Sequence, residues 1–88
     1  MRLPLIKHMV AFIHENDEDY LTETIETLEH LIDAPGMKDE ELDAIGELLS
    51  NMSGAIEVNR LISEGKTERE ALNEFMKRVV GAIDKPRA

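Results

Sequence analysis

Apolar residues recur at spacings of three and four along most of the chain, which is the pattern of amphipathic helices. Four such segments are separated by short polar stretches or by stretches containing glycine and proline. The sequence predicts helices over residues 4–15, 17–33, 39–63 and 67–84. No alternating run is long enough to predict a β-strand. Because short loops force sequential helices to pack antiparallel, we predict an all-α four-helix domain.

The apolar faces of three helices follow directly from this spacing. The first helix presents one broad apolar side: Leu5, Ile6, Met9, Val10, Phe12 and Ile13. The second has a narrow stripe of Leu21, Ile25, Leu28 and Ile32, widened by Tyr20, Thr24 and Leu31. The buried face predicted for the fourth helix comprises Ala71, Leu72, Phe75, Met76, Val79, Val80 and Ile83.

Local signals mark the helix ends. Pro4 suits a first turn because the N–H that proline lacks would have no partner there. Asp17 is a plausible N-cap for the second helix. Gly65 is well placed to end the third helix in a left-handed conformation. Thr67 and Glu70 have the spacing of a capping box, in which each side chain accepts a hydrogen bond from the backbone N–H of the other.

The third helix is predicted to lie centrally, because charged residues occupy little of its circumference between Ile45 and Ile56. Asn59 continues the main apolar stripe of this helix, where a lone polar residue often fixes register, but it could equally lie at the exposed end of the helix. The stripe, which we expect to be buried, comprises Leu42, Ile45, Leu49, Met52 and Ile56.

Small residues recur every four positions beside this stripe, at Gly46, Ser50 and Gly54. Glycine costs about 1 kcal/mol relative to alanine in a helix interior, so two glycines imply a compensating close contact. The contact could come from the first or fourth helix of the same chain, or from a two-fold subunit interface. We predict a homodimer. The residues predicted for close packing or the interface are Gly46, Ser50, Gly54, Ile45, Leu49 and Met52.

Charge is distributed unevenly around a net value of −9. Residues 15–57 contain fourteen acids and one base, Lys38, whereas residues 60–88 contain seven bases and five acids. This balance argues against nucleic-acid binding, which depends on phosphate neutralisation, and disfavours anionic membrane surfaces. The predicted acidic surface comprises Glu23, Glu26, Glu29 and Asp33.

The length of 88 residues predicts a single domain over residues 1–88, and we expect residues 85–88 to form a disordered tail. The absence of cysteine removes disulfides, thiolate metal sites and cysteine nucleophiles. No apolar segment is long enough to span a membrane, and residues 1–8 lack the features of a signal peptide. We therefore expect a cytoplasmic protein.

Candidate chemistry is sparse. Glu23, Glu26 and His30 share one ridge of the second helix, but di-iron bundles place glutamate three residues before histidine on two helices. Here that position is Thr27, and no second copy exists. We predict no catalytic residue, cofactor or metal, and therefore no enzyme. The favoured function is a protein-interaction or scaffold module with an unknown protein partner; a metal-binding protein and an acidic decoy for a basic partner remain alternatives.

Four segments resemble a family of short, uncharacterised bacterial proteins: residues 1–4, 24–29, 38–52 and 71–76. The resemblance extends over nearly the whole chain. It implies a helical cytosolic protein of unknown function, and it supplies no catalytic residues.

Overall fold

The computed structural model describes the backbone of residues 2–84 and the side chains of residues 2–79. No strand occurs within residues 2–84, which confirms the all-α prediction. The tail predicted for residues 85–88 lies outside the described residues. The described residues form four helices: α1 (Leu3–Glu15), α2 (Asp19–Ile32), α3 (Asp39–Ser63) and α4 (Glu68–Asp84).

The chain divides into two compact units, residues 1–56 and 57–88, with the boundary inside α3. In the first unit, the backbone N–H of Arg2, just before α1, donates to the Asn51 side chain of α3 at 2.8 Å. The prediction of a single domain spanning both units stays a prediction.

The second unit contains the end of α3, the following turn and α4. Arg78 pairs with Glu57, and Lys66 pairs with Glu74. From Glu57 to Lys66 the residue numbers increase, whereas those of their partners in α4 decrease from 78 to 74. The end of α3 and helix α4 are therefore antiparallel. Helix α3 thus contacts α1 in the first unit and α4 in the second, which agrees with the central position predicted for it.

Helix α3 ends as the sequence predicts. Gly65 has a φ of 107°, in the left-handed region that a residue without Cβ adopts most readily. The N–H of Lys66 donates to the Leu61 carbonyl at 3.3 Å, and that of Gly65 donates to the Ile62 carbonyl at 3.0 Å. This pair of hydrogen bonds defines a Schellman motif, which satisfies carbonyls left free at the helix end.

The capping box at the start of α4 is also confirmed. The Thr67 hydroxyl accepts from the Glu70 N–H at 3.1 Å, and the Glu70 carboxylate accepts from the Thr67 N–H at 2.9 Å. A related contact that the sequence analysis missed begins α3, where the Glu41 carboxylate accepts from the Lys38 N–H at 2.9 Å.

The start of α2 differs from the prediction by two residues. The helix begins at Asp19 with Glu18 as N-cap, not at Asp17. The Asp17 carboxylate instead accepts the Asp19 N–H at 3.1 Å. Such a bond to the residue two positions on forms a turn, which places the acid before the helix.

The deeply buried side of α3 also differs from the predicted stripe. Within that stripe only Ile45 is buried; the other four members are half-buried. Because apolar residues lie on several sides of α3, their periodicity alone cannot select the side that is buried most deeply. The most buried side chains of α3 are Asn51, Ala55, Val58 and Leu61, none more than 1% exposed.

Helix α2 buries far less than its amphipathic pattern predicts. Leu21 is its one buried residue, whereas Ile25 and Leu28 are half-buried and Ile32 is 37% exposed.

Within residues 2–84, none of the helices combines the length and apolar character that a membrane-spanning segment requires.

Candidate functional site

The predicted packing residues of α3 lie in different environments. Ser50 is exposed, and Gly46 is half-buried. Buried members of the set are Gly54 and Ile45, and half-buried members are Leu49 and Met52. The set therefore ranges from the buried Gly54 and Ile45 to the exposed Ser50.

Gly46 has open space around its Cα. A Cβ built at Gly46 would have no heavy atom within 4 Å, apart from its chain neighbours and the helix backbone nearby. The close internal contact considered for this position is therefore absent. A subunit interface that would offset the cost of glycine in this helix stays a prediction.

The predicted acidic residues share the outward side of α2. All four carboxylates, those of Glu23, Glu26, Glu29 and Asp33, are exposed. His30 is exposed as well. Across the described residues, no group of three or more histidine or acidic side chains is arranged to hold a metal ion. The metal-binding alternative centred on Glu23, Glu26 and His30 thus has no geometric support.

An apolar surface lies beside these acids, and we call it the α2 flank. At one end, the rings of Phe12 and Tyr20 meet edge to face with centroids 5.6 Å apart. Both aromatics are accessible, with Phe12 40% and Tyr20 57% exposed, and Leu31 at the other end is 43% exposed. The α2 flank comprises Phe12, Tyr20, Thr24, Thr27, Leu28 and Leu31.

The two threonines make this flank less polar than their sequence suggests. The Thr24 hydroxyl donates to the Tyr20 carbonyl at 2.6 Å, and the Thr27 hydroxyl donates to the Glu23 carbonyl at 2.9 Å. Each hydroxyl is thus hydrogen-bonded to the preceding helical turn, a common arrangement for threonine in helices. With their hydroxyl groups bonded to the backbone, the methyl groups are the apolar part that these exposed threonines contribute to the flank.

A shallow groove runs along the same surface. It is open to solvent, has a volume of about 240 Å³, and is lined by Tyr20, Glu23, Thr24, Thr27 and Leu28. Small-molecule sites generally enclose most of their ligand in a concave pocket. This groove is open and does not enclose a ligand in that way.

Sequence reasoning missed Asn51 and considered Asn59, either as a register-fixing polar residue or as a residue at the exposed end of α3. Asn59 is half-buried, whereas Asn51 is 1% exposed. The Asn51 carbonyl accepts the Arg2 N–H, and its amide donates to the Glu47 carbonyl at 2.8 Å. A usable signal was present, because Asn51 precedes Ala55 and Val58 by one and two helical turns on one apolar side.

No comparable feature of the sequence predicted that Phe12 and Tyr20 are exposed. Both residues lie on the apolar sides that helical spacing assigns to α1 and α2. Only the positions of neighbouring elements decide whether such residues are covered.

The second unit carries a chain of ion pairs that the sequence analysis did not identify. Glu57 accepts from Arg60 at 2.5 and 3.1 Å and from Arg78 at 2.5 Å. Arg60 also pairs with Glu64. Arg78 approaches Glu74 at 3.6 Å, and Glu74 pairs with Lys66 at 3.1 Å. Glu57 is therefore the carboxylate shared by two guanidinium groups.

This sharing perturbs the acid–base equilibrium of Glu57. Hydrogen bonds from Arg60, followed by those from Arg78, hold the pKa of the Glu57 carboxyl below its ordinary value, although partial burial opposes them. Pairing with Glu57 in turn raises the pKa of Arg60. The arrangement stabilises the charged forms of Glu57 and Arg60.

Replacing Glu57 with glutamine is expected to lower the free energy of unfolding by about 0.5–1 kcal/mol at pH 7, the range for exposed ion-pair networks. Because the folded pKa of Glu57 is lowered, its contribution is complete above the unfolded pKa, about 4.3, and is lost as pH falls through the folded pKa. Urea unfolding of both proteins from neutral to acidic pH would measure the difference.

Glu29→Gln provides the control for loss of one negative charge, because Glu29 is exposed on α2. The Glu57→Gln deficit should be constant above about pH 5 and shrink in more acidic solution. A deficit that equals that of Glu29→Gln at every pH would contradict a specific contribution from the pairs.

A protein-family model matches the chain over most of its length. A family described as "Family of unknown function (DUF6952)" covers residues 1–84. The chain belongs to this family. DUF6952 membership agrees with the resemblance to an uncharacterised helical family and assigns no activity. No curated protein matches the chain, and no solved structure does.

Proposed function

We propose that this DUF6952 protein is a protein-binding module without catalytic activity and that it acts as a homodimer. The observation that carries the proposal is the shallow burial of α2, an amphipathic helix with Leu21 as its one buried residue. Exposed aromatic and leucine side chains are characteristic of surfaces that bind other proteins. The accompanying groove is open, which favours a macromolecular partner over an enclosed small ligand.

The homodimer part of the proposal is supported by the small residues of α3 and not by the apolar surface of α2. Gly46 has no close neighbour that would require glycine, yet it lies within a 25-residue helix. Exposed Ser50 lies one turn further along. Small residues at this spacing would let the same surface of a second copy approach closely, as a two-fold interface requires. The half-buried Leu49 and Met52 would supply apolar contact beside them, whereas Ile45 is buried within the chain.

Gly46→Leu tests the homodimer. The bulky side chain should prevent close approach of a second copy, so the mass from light scattering should fall from dimer to monomer. Folding should survive, because the position is open within the chain and leucine is a better helix former than glycine, by up to about 0.8 kcal/mol. Circular dichroism would verify the retained helix content.

Ala44→Leu is the matched control, since Ala44 is exposed on α3 and lies well away from Gly46 around the helix. This variant should keep the dimer mass. A wild-type protein that is monomeric at all concentrations, or a Gly46→Leu protein that stays dimeric, would count against the α3 interface.

A further inference from the structure

We propose that the α2 flank is the docking site for a basic amphipathic helix of a partner protein. This inference rests on the proposed function as a protein-binding module and names the chemistry of the partner. It follows from three features that occur together: exposed aromatic anchors, an apolar strip of helical length, and a border of carboxylates.

The aromatic anchors are the first feature. The chain contains three aromatic residues. Phe75 is buried, whereas Phe12 and Tyr20 contact each other at the surface. Exposed aromatic side chains provide large apolar contact area with few rotatable bonds, and they are enriched among the residues that dominate binding energy. The Phe12–Tyr20 pair therefore marks one end of the docking site.

The strip has the dimensions of a helix contact. From Tyr20 to Leu31 it runs for three turns of α2, which corresponds to about 16 Å. The methyl groups of Thr24 and Thr27 and the half-buried Leu28 lie between the two ends. A partner helix lying along α2 would contact this strip with apolar residues three or four positions apart, as helices bound in grooves do.

The negative charge around the α2 flank favours a positively charged partner. Residues 1–56 contain thirteen acids and three bases, a net of −10. Glu23 lines the groove itself, and Glu26 lies on the adjacent side of α2. A second copy would bring the same acids against this border, whereas lysine and arginine beside an apolar stripe would complement it. The flank therefore favours a basic partner helix over a second copy.

A fluorescent amphipathic peptide of leucine and lysine, roughly 14 residues or four turns long, is the probe for this site. Fluorescence anisotropy would measure its affinity for the full chain at several salt concentrations. A scrambled peptide of the same composition and a leucine–glutamate peptide serve as controls. We expect binding of the amphipathic basic peptide alone. Equal binding of the scrambled peptide would overturn the docking site, because it would indicate charge attraction only, as an acidic decoy would show.

One double substitution in the α2 flank and one control substitution in α3 locate the bound peptide. Tyr20→Ser combined with Leu31→Ser should weaken binding about tenfold or more, as expected for residues that dominate the binding energy. Leu48→Ser, at an exposed leucine of α3, should leave the affinity unchanged. Equal weakening by Leu48→Ser, or no weakening by the flank variant, would overturn the site.

The acidic border has its own matched pair. Glu23→Gln combined with Glu26→Gln should weaken binding several-fold and reduce its dependence on salt. Glu40→Gln combined with Asp43→Asn neutralises two exposed acids of α3 and should have a clearly smaller effect. Equal effects of the two pairs would overturn the assignment of the border to Glu23 and Glu26.

Light scattering distinguishes failure of this inference from failure of the homodimer. If Tyr20→Ser with Leu31→Ser converts a dimer to monomer, a second copy occupies the flank and the docking proposal is overturned. If Gly46→Leu remains dimeric while the peptide binds at the flank, the α3 interface fails and the docking site stands. Peptide binding to a monomeric Gly46→Leu protein would support both.

Discussion

Replacing Leu61 with alanine is expected to lower the free energy of unfolding by about 2–5 kcal/mol, the range for truncating a buried leucine. Leu61 is 1% exposed near the end of α3. Alanine would remove buried methyl groups and leave a cavity that the surroundings fill only in part. A small domain is typically stable by roughly 5–15 kcal/mol, so the loss would be a large part of the total.

Leu48→Ala is the control because it makes the same change in the same helix at a residue that is 45% exposed. Its effect should lie within about 0.5 kcal/mol of zero. Urea unfolding followed by circular dichroism would give both values at one protein concentration, which matters if folding is coupled to dimerisation. Similar losses in the two variants would contradict the burial pattern of α3.

Replacing Asn51 with alanine is expected to lower the free energy of unfolding by about 1–3 kcal/mol, the cost of leaving a buried polar group unpaired. The Arg2 N–H would lose its acceptor, and the Glu47 carbonyl would lose a donor. In the described part of the chain, no buried side-chain nitrogen or oxygen lacks a hydrogen-bond partner. The substitution would therefore remove both hydrogen bonds of the buried Asn51 side chain, one of which joins α3 to the residue before α1.

Asn73→Ala is the matched control for this substitution, because Asn73 is exposed on α4. Both changes gain helix propensity, so their difference isolates the buried hydrogen bonds. Hydrogen exchange gives a local measurement, since loss of the acceptor should accelerate exchange of the Arg2 amide. Unchanged exchange together with equal stability of the two variants would refute a structural role for Asn51.

The helix ends show why part of the fold follows directly from sequence. The Gly65 terminus and the Thr67–Glu70 capping box depend on hydrogen bonds among residues no more than five positions apart. Such bonds form whenever the local residues favour them, whatever lies elsewhere in the molecule. Asp17 marks the limit of this reasoning: its carboxylate does accept a backbone N–H, but from a turn before α2.

The surfaces depended on information that lies outside any single helix. The spacing of small residues was compatible with internal packing or with an interface, and only the structure shows that Gly46 itself has no close internal neighbour. The acidic side of α2 could be predicted because charged residues avoid burial unless they are paired. The exposure of the α2 flank could not be predicted, because the spacing of apolar residues does not reveal how much of a helix face is covered by neighbouring segments.

The sequence by itself determined the four helices, their apolar sides and the chemistry of the turn between α3 and α4, because these depend on contacts between residues close in the chain. Only the tertiary structure decided that Asn51 and Leu61 are buried while Phe12 and Tyr20 are exposed. Burial depends on which distant segment packs against each face, and helical periodicity gives the direction of a side chain without giving its neighbour.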